Sequence, residues 1–231
     1  NIIDTNFVIR GFTFTNSYSD SGISISDADV KLVDLVVENN IFNSNDWSYG
    51  GGLHFSNSNS IIDNCIIRNN KTVSTLWSYG AGCYSSASAL TITNSQFINN
   101  ISSSTEGWAF GGGIYFEYTT KSKISKCEIR GNRVSSSIWN FGAGISCDGF
   151  GESEELLVED TYIIGNEIGE GTSYGGTAIY SDGAGININN CVISQNRSKL
   201  LAASVSTILI SNFATDTLSL HINCSSIANN G

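Results

Sequence analysis

Asn45–Phe55 has the sequence NDWSYGGGLHF, and this stretch decides the fold. Close copies follow it: TLWSYGAGCYS at 75–85, GWAFGGGIYFE at 107–117, IWNFGAGISCD at 138–148 and a weaker SYGGTAIYS from 173. The tryptophans of the four strong copies lie 30, 31 and 31 residues apart: Trp47, Trp77, Trp108 and Trp139. Self-similarity at a constant period of this size predicts a repeat architecture.

A recurring asparagine provides a second marker of the repeat: Asn16, Asn40, Asn70, Asn100, Asn132, Asn166, Asn196 and Asn230. The residues eight and three positions earlier are apolar in nearly every copy, as Ile62 and Ile67 are before Asn70. The residues between them are mixed and polar, which is typical of strands with alternating inward and outward side chains. Asn or Asp is frequent six positions before the marker, which predicts a bend between two strands.

The glycine-rich motif predicts a third strand, because an apolar residue follows its last glycine in each strong copy. Each repeat then contains two strands separated by a bend, an asparagine turn, a variable loop, a glycine turn and the third strand. No helical period is present. We therefore predict an all-β fold, a right-handed parallel β-helix with three short strands per coil and about seven coils of ~30 residues. Equivalent strands would stack ~4.8 Å apart and bury one continuous core.

Two other repeat folds fit this pattern less well. A leucine-rich repeat needs a helix or a regular Leu/Asn consensus every ~20–29 residues, and a propeller needs about four strands in each ~40-residue blade. Residues 1–231 are expected to form a single domain, and the absence of Met indicates a segment of a longer chain. Residues 199–231 lose the Trp and Gly motif, so we expect a divergent terminal coil there.

Composition restricts the classes of partner. The net charge is −10 and only 14% of residues are charged, which disfavours nucleic acids and anionic membranes because both need Lys/Arg patches. No apolar run approaches the ~20 residues that span a membrane. Asn, Ser, Thr and Gly dominate the polar positions, so we expect an extracellular or cell-surface location.

The repeat motifs resemble those of a known group. GGGL, GAGC, GGGI and GAGI alternate with a hydrophobic-x-x-Asn motif that is clearest in Phe97–Asn100. They resemble the GGA[ILV] and FxxN repeats of polymorphic outer-membrane-protein passenger domains, and more broadly the pectate-lyase-like β-helix superfamily. The resemblance covers nearly the whole chain and implies a secreted or surface-exposed adhesive or structural rod. The chain departs from it in carrying Trp-x-Tyr/Phe before the glycines and in lacking Phe in most FxxN copies.

Aromatic residues at the repeat period form the candidate binding stripe: Trp47, Tyr49, Trp77, Tyr79, Trp108, Phe110, Trp139 and Phe141. In one interpretation they pack the variable loops onto the rod, because aromatic side chains bury a large area. In the other they form an exposed strip that stacks on sugars or on another rod. The spacing alone does not separate the two.

The cysteines and the asparagine column have structural interpretations. Cys65, Cys127 and Cys191 share an inward column about 10 Å apart, beyond the ~7 Å limit for a disulfide, and are predicted to be buried thiols. The disulfide state of Cys83, Cys147 and Cys224 stays open, and no spacing predicts a zinc site. The recurring asparagines are predicted to stack as a hydrogen-bonded ladder.

Four asparagines lie in N-x-Ser/Thr sequons and are candidate glycosylation sites: Asn70, Asn100, Asn196 and Asn223. The first three belong to the predicted ladder, where a glycan would displace an inward side chain. If these side chains instead point out of the turn, all three sequons become accessible. Asn223 follows the inward Ile222, so it should face solvent and is the best of the four candidates.

No catalytic constellation is evident. The acids are scattered, and the densest set, Glu152–Asp160, is predicted to lie in a solvated loop. Only two histidines exist, His54 and His221, whereas a glycosidase needs two carboxylates about 5–10 Å apart. We predict no catalytic residue, no metal ligand and no cofactor.

We therefore predict a non-enzymatic extracellular structural or adhesive rod. Its expected partners are a further copy, or a continuation of the same chain, stacked through the open β-helix ends into a head-to-tail filament. Carbohydrate is a further candidate partner, and nucleic acid is not expected. The alternative is a polysaccharide-binding or polysaccharide-cleaving β-helix protein.

Overall fold

The computed structural model describes residues 7–118, 121–149, 155–171, 175–199, 206–211, 220–223 and 225–230. Every regular element among them is a β-strand, so none of these segments is a helix that could span a membrane. The strands form five parallel sheets, numbered here in the order in which the chain visits them in each coil. Each strand pairs with its equivalent in the next coil, which confirms the predicted parallel β-helix.

Three sheets enclose the aliphatic core and correspond to the three predicted strands. Sheet 1 contains eight strands: Val8–Arg10, Lys31–Val33, Ser60–Asp63, Leu90–Thr93, Lys123–Ser125, Glu155–Glu159, Gly185–Asn189 and Leu220–Asn223. Sheet 2 also contains eight: Thr13–Thr15, Val36–Glu38, Ile66–Arg68, Gln96–Ile98, Glu128–Arg130, Tyr162–Ile164, Val192–Ser194 and Ser226–Ala228. Sheet 5 contains seven: Ile23–Ser26, Leu53–Ser56, Cys83–Ser86, Ile114–Glu117, Ile145–Asp148, Ile179–Asp182 and Ile208–Ser211.

The segment predicted to be a variable loop instead forms two further sheets. Sheet 3 contains six strands: Ile41–Ser44, Lys71–Ser74, Ile101–Ser104, Arg133–Ser136, Glu167–Ile168 and Arg197–Ser198. Sheet 4 contains four: Ser48–Tyr49, Ser78–Tyr79, Trp108–Phe110 and Trp139–Phe141. In Lys71–Ser74 the buried residues are Thr72 and Ser74. Because hydroxyl side chains occupy the inward positions, the hydrophobic period that marks a strand is missing.

The two aliphatic columns line the core as predicted. Ile62, Ile92 and Ile124 in sheet 1 and Ile67 and Phe97 in sheet 2 have no exposed surface. The residue after each glycine motif supplies the third wall, and all three columns belong to one cluster. Stacking equivalent coils buries these side chains, which no single coil could do alone.

The first coil differs by one residue from the alignment on asparagines. Ile9 pairs with Leu32, one residue later than the alignment predicts. Asn16 therefore precedes the ladder, with φ 63°. Ser17 takes the ladder position, and its backbone N–H donates to Asn40 Oδ1 at 2.9 Å.

The predicted asparagine ladder is confirmed. Asn70 donates from its backbone N–H and from Nδ2 to Asn100 Oδ1, at 3.0 and 3.1 Å. Asn100 Nδ2 donates in turn to Ile67 O and Asn132 Oδ1, both at 3.0 Å. Six members of the ladder have no exposed surface: Asn40, Asn70, Asn100, Asn132, Asn166 and Asn196.

The cysteines of the described coils are buried and form no disulfide with one another: Cys65, Cys83, Cys127, Cys147 and Cys191. Burial raises the pKa of the Cys65 and Cys127 thiols to about 11. Since the thiolate is the reactive form, these two thiols are expected to be unreactive near neutral pH. Cys224 lies outside the described residues.

Candidate functional site: the outer aromatic face

A sharp turn places the aromatic residues of sheet 4 over the outside of sheet 5. The turn residues Gly50, Gly80, Gly111 and Gly142 have φ between 54° and 57°. A Cβ on Gly80 would lie 2.3 Å from the carbonyl oxygen of Cys83, so glycine is required on both conformational and steric grounds. The result is a second apolar cluster outside the aliphatic core, which we call the outer aromatic face.

Three rows of rings make up the outer aromatic face. The indoles of the first row have centroids 5.5, 5.2 and 4.6 Å apart, the first two pairs stacked and the third tilted by 34°: Trp47, Trp77, Trp108 and Trp139. The second row is stacked at 5.3, 5.1 and 4.7 Å: Tyr49, Tyr79, Phe110 and Phe141. The third row lies on the outside of sheet 5 and packs against the second: Tyr84, Tyr115 and Tyr180.

The repeat spacing predicts one stripe for the first two rows, and the structure separates them. Tyr79, Phe110 and Phe141 are 5–8% exposed, so they bind sheet 4 to sheet 5. Trp47 and Trp139 are 45% and 36% exposed, so the indole row forms the solvent edge. The third row was missed, although Tyr84 and Tyr115, each one residue after an inward position and 31 residues apart, were visible in the sequence.

The two inner indoles, Trp77 and Trp108, have a neighbouring indole on both sides. Trp47 and Trp77 are within 4° of parallel, and Trp77 and Trp108 within 18°. Each ring therefore covers much of the face of its neighbour, in the offset geometry that aromatic pairs prefer. This arrangement favours the packing interpretation over sugar stacking, because stacking on a sugar needs a free ring face.

Two buried phenols of the third row donate to carboxylates. The Tyr84 hydroxyl donates to Glu117 Oε2, which also accepts from Ser86 Oγ at 3.1 Å. The Tyr115 hydroxyl donates to Asp148 Oδ2 at 3.3 Å. Burial raises the pKa of Tyr84, and the neighbouring Glu117 raises it further, so this phenol keeps its proton throughout the physiological range.

The carboxylates that accept these bonds form a row of their own. Glu117, Asp148 and Asp182 occupy equivalent positions on three consecutive coils. Within the described coils, no group of three or more His, Cys, Asp or Glu side chains is arranged to hold a metal ion.

The other acids and His221 do not converge on this face. Residues 155–159 of the predicted acidic loop form a strand of sheet 1, whereas Glu152 and Glu154 lie outside the described residues. The expectation of a loop there was wrong for the described part. His221 is exposed on a strand of sheet 1.

His54 extends the third row at its N-terminal end, and we expect it to make stability pH-dependent. Its ring lies 5.0 Å from that of Tyr84, and burial lowers the pKa of His54, partly offset by Asp20. The unfolded state then binds more protons, so this contribution is complete above the unfolded pKa of ~6.5 and is lost as pH falls below it. Urea unfolding at about pH 7.5 and about pH 5.5 measures this loss.

The variant His54→Phe is the test of this assignment. It keeps a ring at the position and has no titrating group, so its stability should fall less than that of the native chain between the two pH values. An equal fall in both proteins would show that other groups cause the pH dependence.

The structure separates the four sequons into two groups. Asn70, Asn100 and Asn196 have no exposed surface, and their Nδ2 atoms donate within the ladder. A glycan on any of them would force the side chain out of the ladder. Asn223 is exposed, and its Nδ2 donates to Asn189 Oδ1 at 3.0 Å, so Asn223 remains the candidate.

A shallow groove follows the bend between sheets 1 and 2, away from the outer aromatic face. It consists of two adjoining stretches of about 300 and 270 Å³ that share Asn94 and Gln96. One wall is the row of bend residues: Asp34, Asn64, Asn94, Lys126 and Asp160. The other wall is the outward row of sheet 2: Val36, Ile66, Gln96, Glu128 and Tyr162.

The coil geometry agrees with a comparison against known families. Residues 2–193 match the model of the right handed beta helix region. The chain belongs to the right-handed β-helix family. No curated protein and no solved structure matches this β-helix significantly. The likeness to passenger-domain repeats stays a prediction.

Proposed function

We propose that this β-helix is a non-enzymatic extracellular or cell-surface rod with a structural or adhesive role. The observation that supports the proposal is that many side chains bind one coil to the next. The asparagine ladder, the stacked rings and the aliphatic columns all bond equivalent coils. Stability in such a solenoid is the sum of coil and interface terms, so repeated ladders suit an extended scaffold.

Association through the ends of the described stack is part of this proposal. Core-facing residues are only partly buried at both ends, with Ile9 and Phe14 at one end and Ile222 (41% exposed) and Ile227 (44% exposed) at the other. The outermost strands of sheets 1 and 2 also carry backbone groups without a neighbouring strand on one side, which are templates for pairing. A second copy, or a continuation of the same chain, would cover both, and repeated head-to-tail contacts would give a filament.

Electron microscopy combined with sedimentation tests this proposal. We expect rods that lengthen with protein concentration, and introducing a charge by Ile227→Glu should shorten them. The matched variant Tyr162→Glu, on the side of the rod, should leave their length unchanged. A monomer at every concentration would contradict end-to-end association, and turnover of a polysaccharide would contradict the non-enzymatic role.

A second candidate is binding of a neutral polysaccharide in the groove between sheets 1 and 2. The groove runs along the axis and repeats one bend side chain per coil, about every 4.8 Å. Within the groove, Asn64 Nδ2 donates to Asp34 Oδ1 of the preceding coil at 2.7 Å, which leaves the amide oxygen of Asn64 for a hydroxyl donor. Because the groove crosses the strands, a peptide could not bind there by adding a strand.

Glycan-array binding distinguishes this candidate from the outer aromatic face. Tyr162 is 53% exposed at one end of the groove, and Tyr162→Ser should abolish binding if the groove is the site. Trp139→Ser is the matched control, because it removes an exposed ring from the other surface. Loss of binding only in the tryptophan variant would overturn the groove assignment.

A further inference from the structure

We propose that the outer aromatic face conducts oxidising equivalents from its exposed indoles to the Tyr84–Glu117 pair, where a tyrosyl radical forms. The reactant is a one-electron oxidant in the solvent, such as a peroxyl radical or a photo-oxidised metal complex. This activity is independent of the rod function, because it needs only contacting rings and a proton acceptor.

The indole row is the point of entry. Trp47 and Trp139 expose 45% and 36% of their surface, so an oxidant can approach either end. No centroid distance along the row exceeds 5.5 Å. When one indole loses an electron, a neighbouring indole can therefore transfer an electron to it, and the radical cation moves along the row.

Two short routes lead from the indoles to the buried phenol. Trp47 and Tyr49 have centroids 6.4 Å apart, and Tyr49 lies 4.9 Å from Tyr84. Trp77 and Tyr79 are also 6.4 Å apart, and Tyr79 lies 6.2 Å from Tyr84. Rings at these separations are in or near contact, so no step crosses a gap.

Tyr84 is the terminus because its hydroxyl already donates to a carboxylate. An oxidised phenol is strongly acidic, and Tyr84 is only 5% exposed, so water cannot readily take its proton. Glu117 Oε2 is the acceptor in place. The Tyr115–Asp148 pair, at 3.3 Å, is a longer version of the same arrangement.

The step balances without any further reactant. The oxidant takes one electron from an indole and is reduced, which leaves an indole radical cation. Tyr84 returns one electron to that indole and passes its hydroxyl proton to Glu117. The O–H bond of the phenol breaks and an O–H bond on the carboxyl forms, leaving a neutral indole, a neutral tyrosyl radical and a neutral Glu117.

Flash photolysis tests this inference. A ruthenium polypyridyl complex with persulfate as electron acceptor generates the oxidant in solution, and optical and EPR spectra follow the radicals. In the native chain we expect an indole radical to decay into a tyrosyl radical, more slowly in D₂O because a proton moves. Tyr84→Phe and Glu117→Gln should each lose most of the tyrosyl signal that grows as the indole radical decays, and should prolong the indole radical.

Two conservative variants on sheet 2 are the controls. Glu128→Gln removes a carboxylate away from the outer aromatic face and should leave the yield unchanged. Tyr162→Phe removes an exposed phenol, so it should lower only the tyrosyl signal that the oxidant forms directly and not the part that grows as the indole radical decays. Thermal unfolding verifies that every variant is folded. A tyrosyl yield that survives both Tyr84→Phe and Glu117→Gln, or that falls equally in Glu128→Gln, would overturn the inference.

Discussion

Replacing Asn100 by Leu should lower the free energy of unfolding by about 3–5 kcal/mol, because several buried groups lose their partners together. The backbone N–H and Nδ2 of Asn70 both donate to Asn100 Oδ1. Asn100 Nδ2 also donates hydrogen bonds to Ile67 O and Asn132 Oδ1. Leu has nearly the same size but can replace none of these four bonds. Urea unfolding followed by circular dichroism measures the change.

Asn187→Leu is the matched control for the ladder variant. Asn187 lies on the outer face of sheet 1, where its Nδ2 donates to Glu155 Oε1 at 2.9 Å in an exposed pair. Water can replace that bond, so the same substitution should change stability by about 0.5 kcal/mol or less. Similar losses in the two variants would mean that the buried ladder has no special energetic role.

Replacing Gly80 by Ala should destabilise the β-helix by about 3 kcal/mol or more, combining left-handed strain with overpacking. The residue has φ +57°, and a new Cβ would lie 2.3 Å from Cys83 O and 2.9 Å from Tyr84 Cα. Both atoms belong to the backbone, so neither can rotate away. Because the turn holds sheet 4 on sheet 5, we also expect the tryptophan emission to shift to the red.

Gly165→Ala separates strain from crowding. Gly165 has φ +64°, and a Cβ there would meet nothing within 4 Å. The variant therefore has the same left-handed strain without the clash and should cost only about 1 kcal/mol. A Gly80→Ala variant that is no less stable than Gly165→Ala would contradict the steric argument.

Much of the fold was predictable because the same sequence pattern recurs in every coil. The inward residues of sheets 1, 2 and 5 are aliphatic, as in Ile62 and Ile67, so hydrophobic periodicity marks their strands. Sheets 3 and 4 were missed because Thr72, Ser74 and Ser78 occupy inward positions and carry no such signal. Apolar residues appear at the equivalent positions only in other coils, as Val134, Ile168 and Ala109. The alignment of the first coil was wrong by one residue because Asn16 has the same residue type as the ladder members. It lies one position before the ladder position, which Ser17 occupies.

The sequence by itself determined the coil period, the three core strands, the asparagine ladder and the glycine turns, since each depends on a residue type that recurs at constant spacing. Only the tertiary structure decided how the aromatic residues are used. The sequence shows that the pair Trp47 and Tyr49 recurs in each strong repeat. Whether a given ring is buried between sheets 4 and 5 or lies at their solvent edge depends on how sheet 4 folds over sheet 5. The contact of Tyr84 with Glu117 was likewise beyond sequence reasoning, because it joins residues 33 positions apart on neighbouring coils.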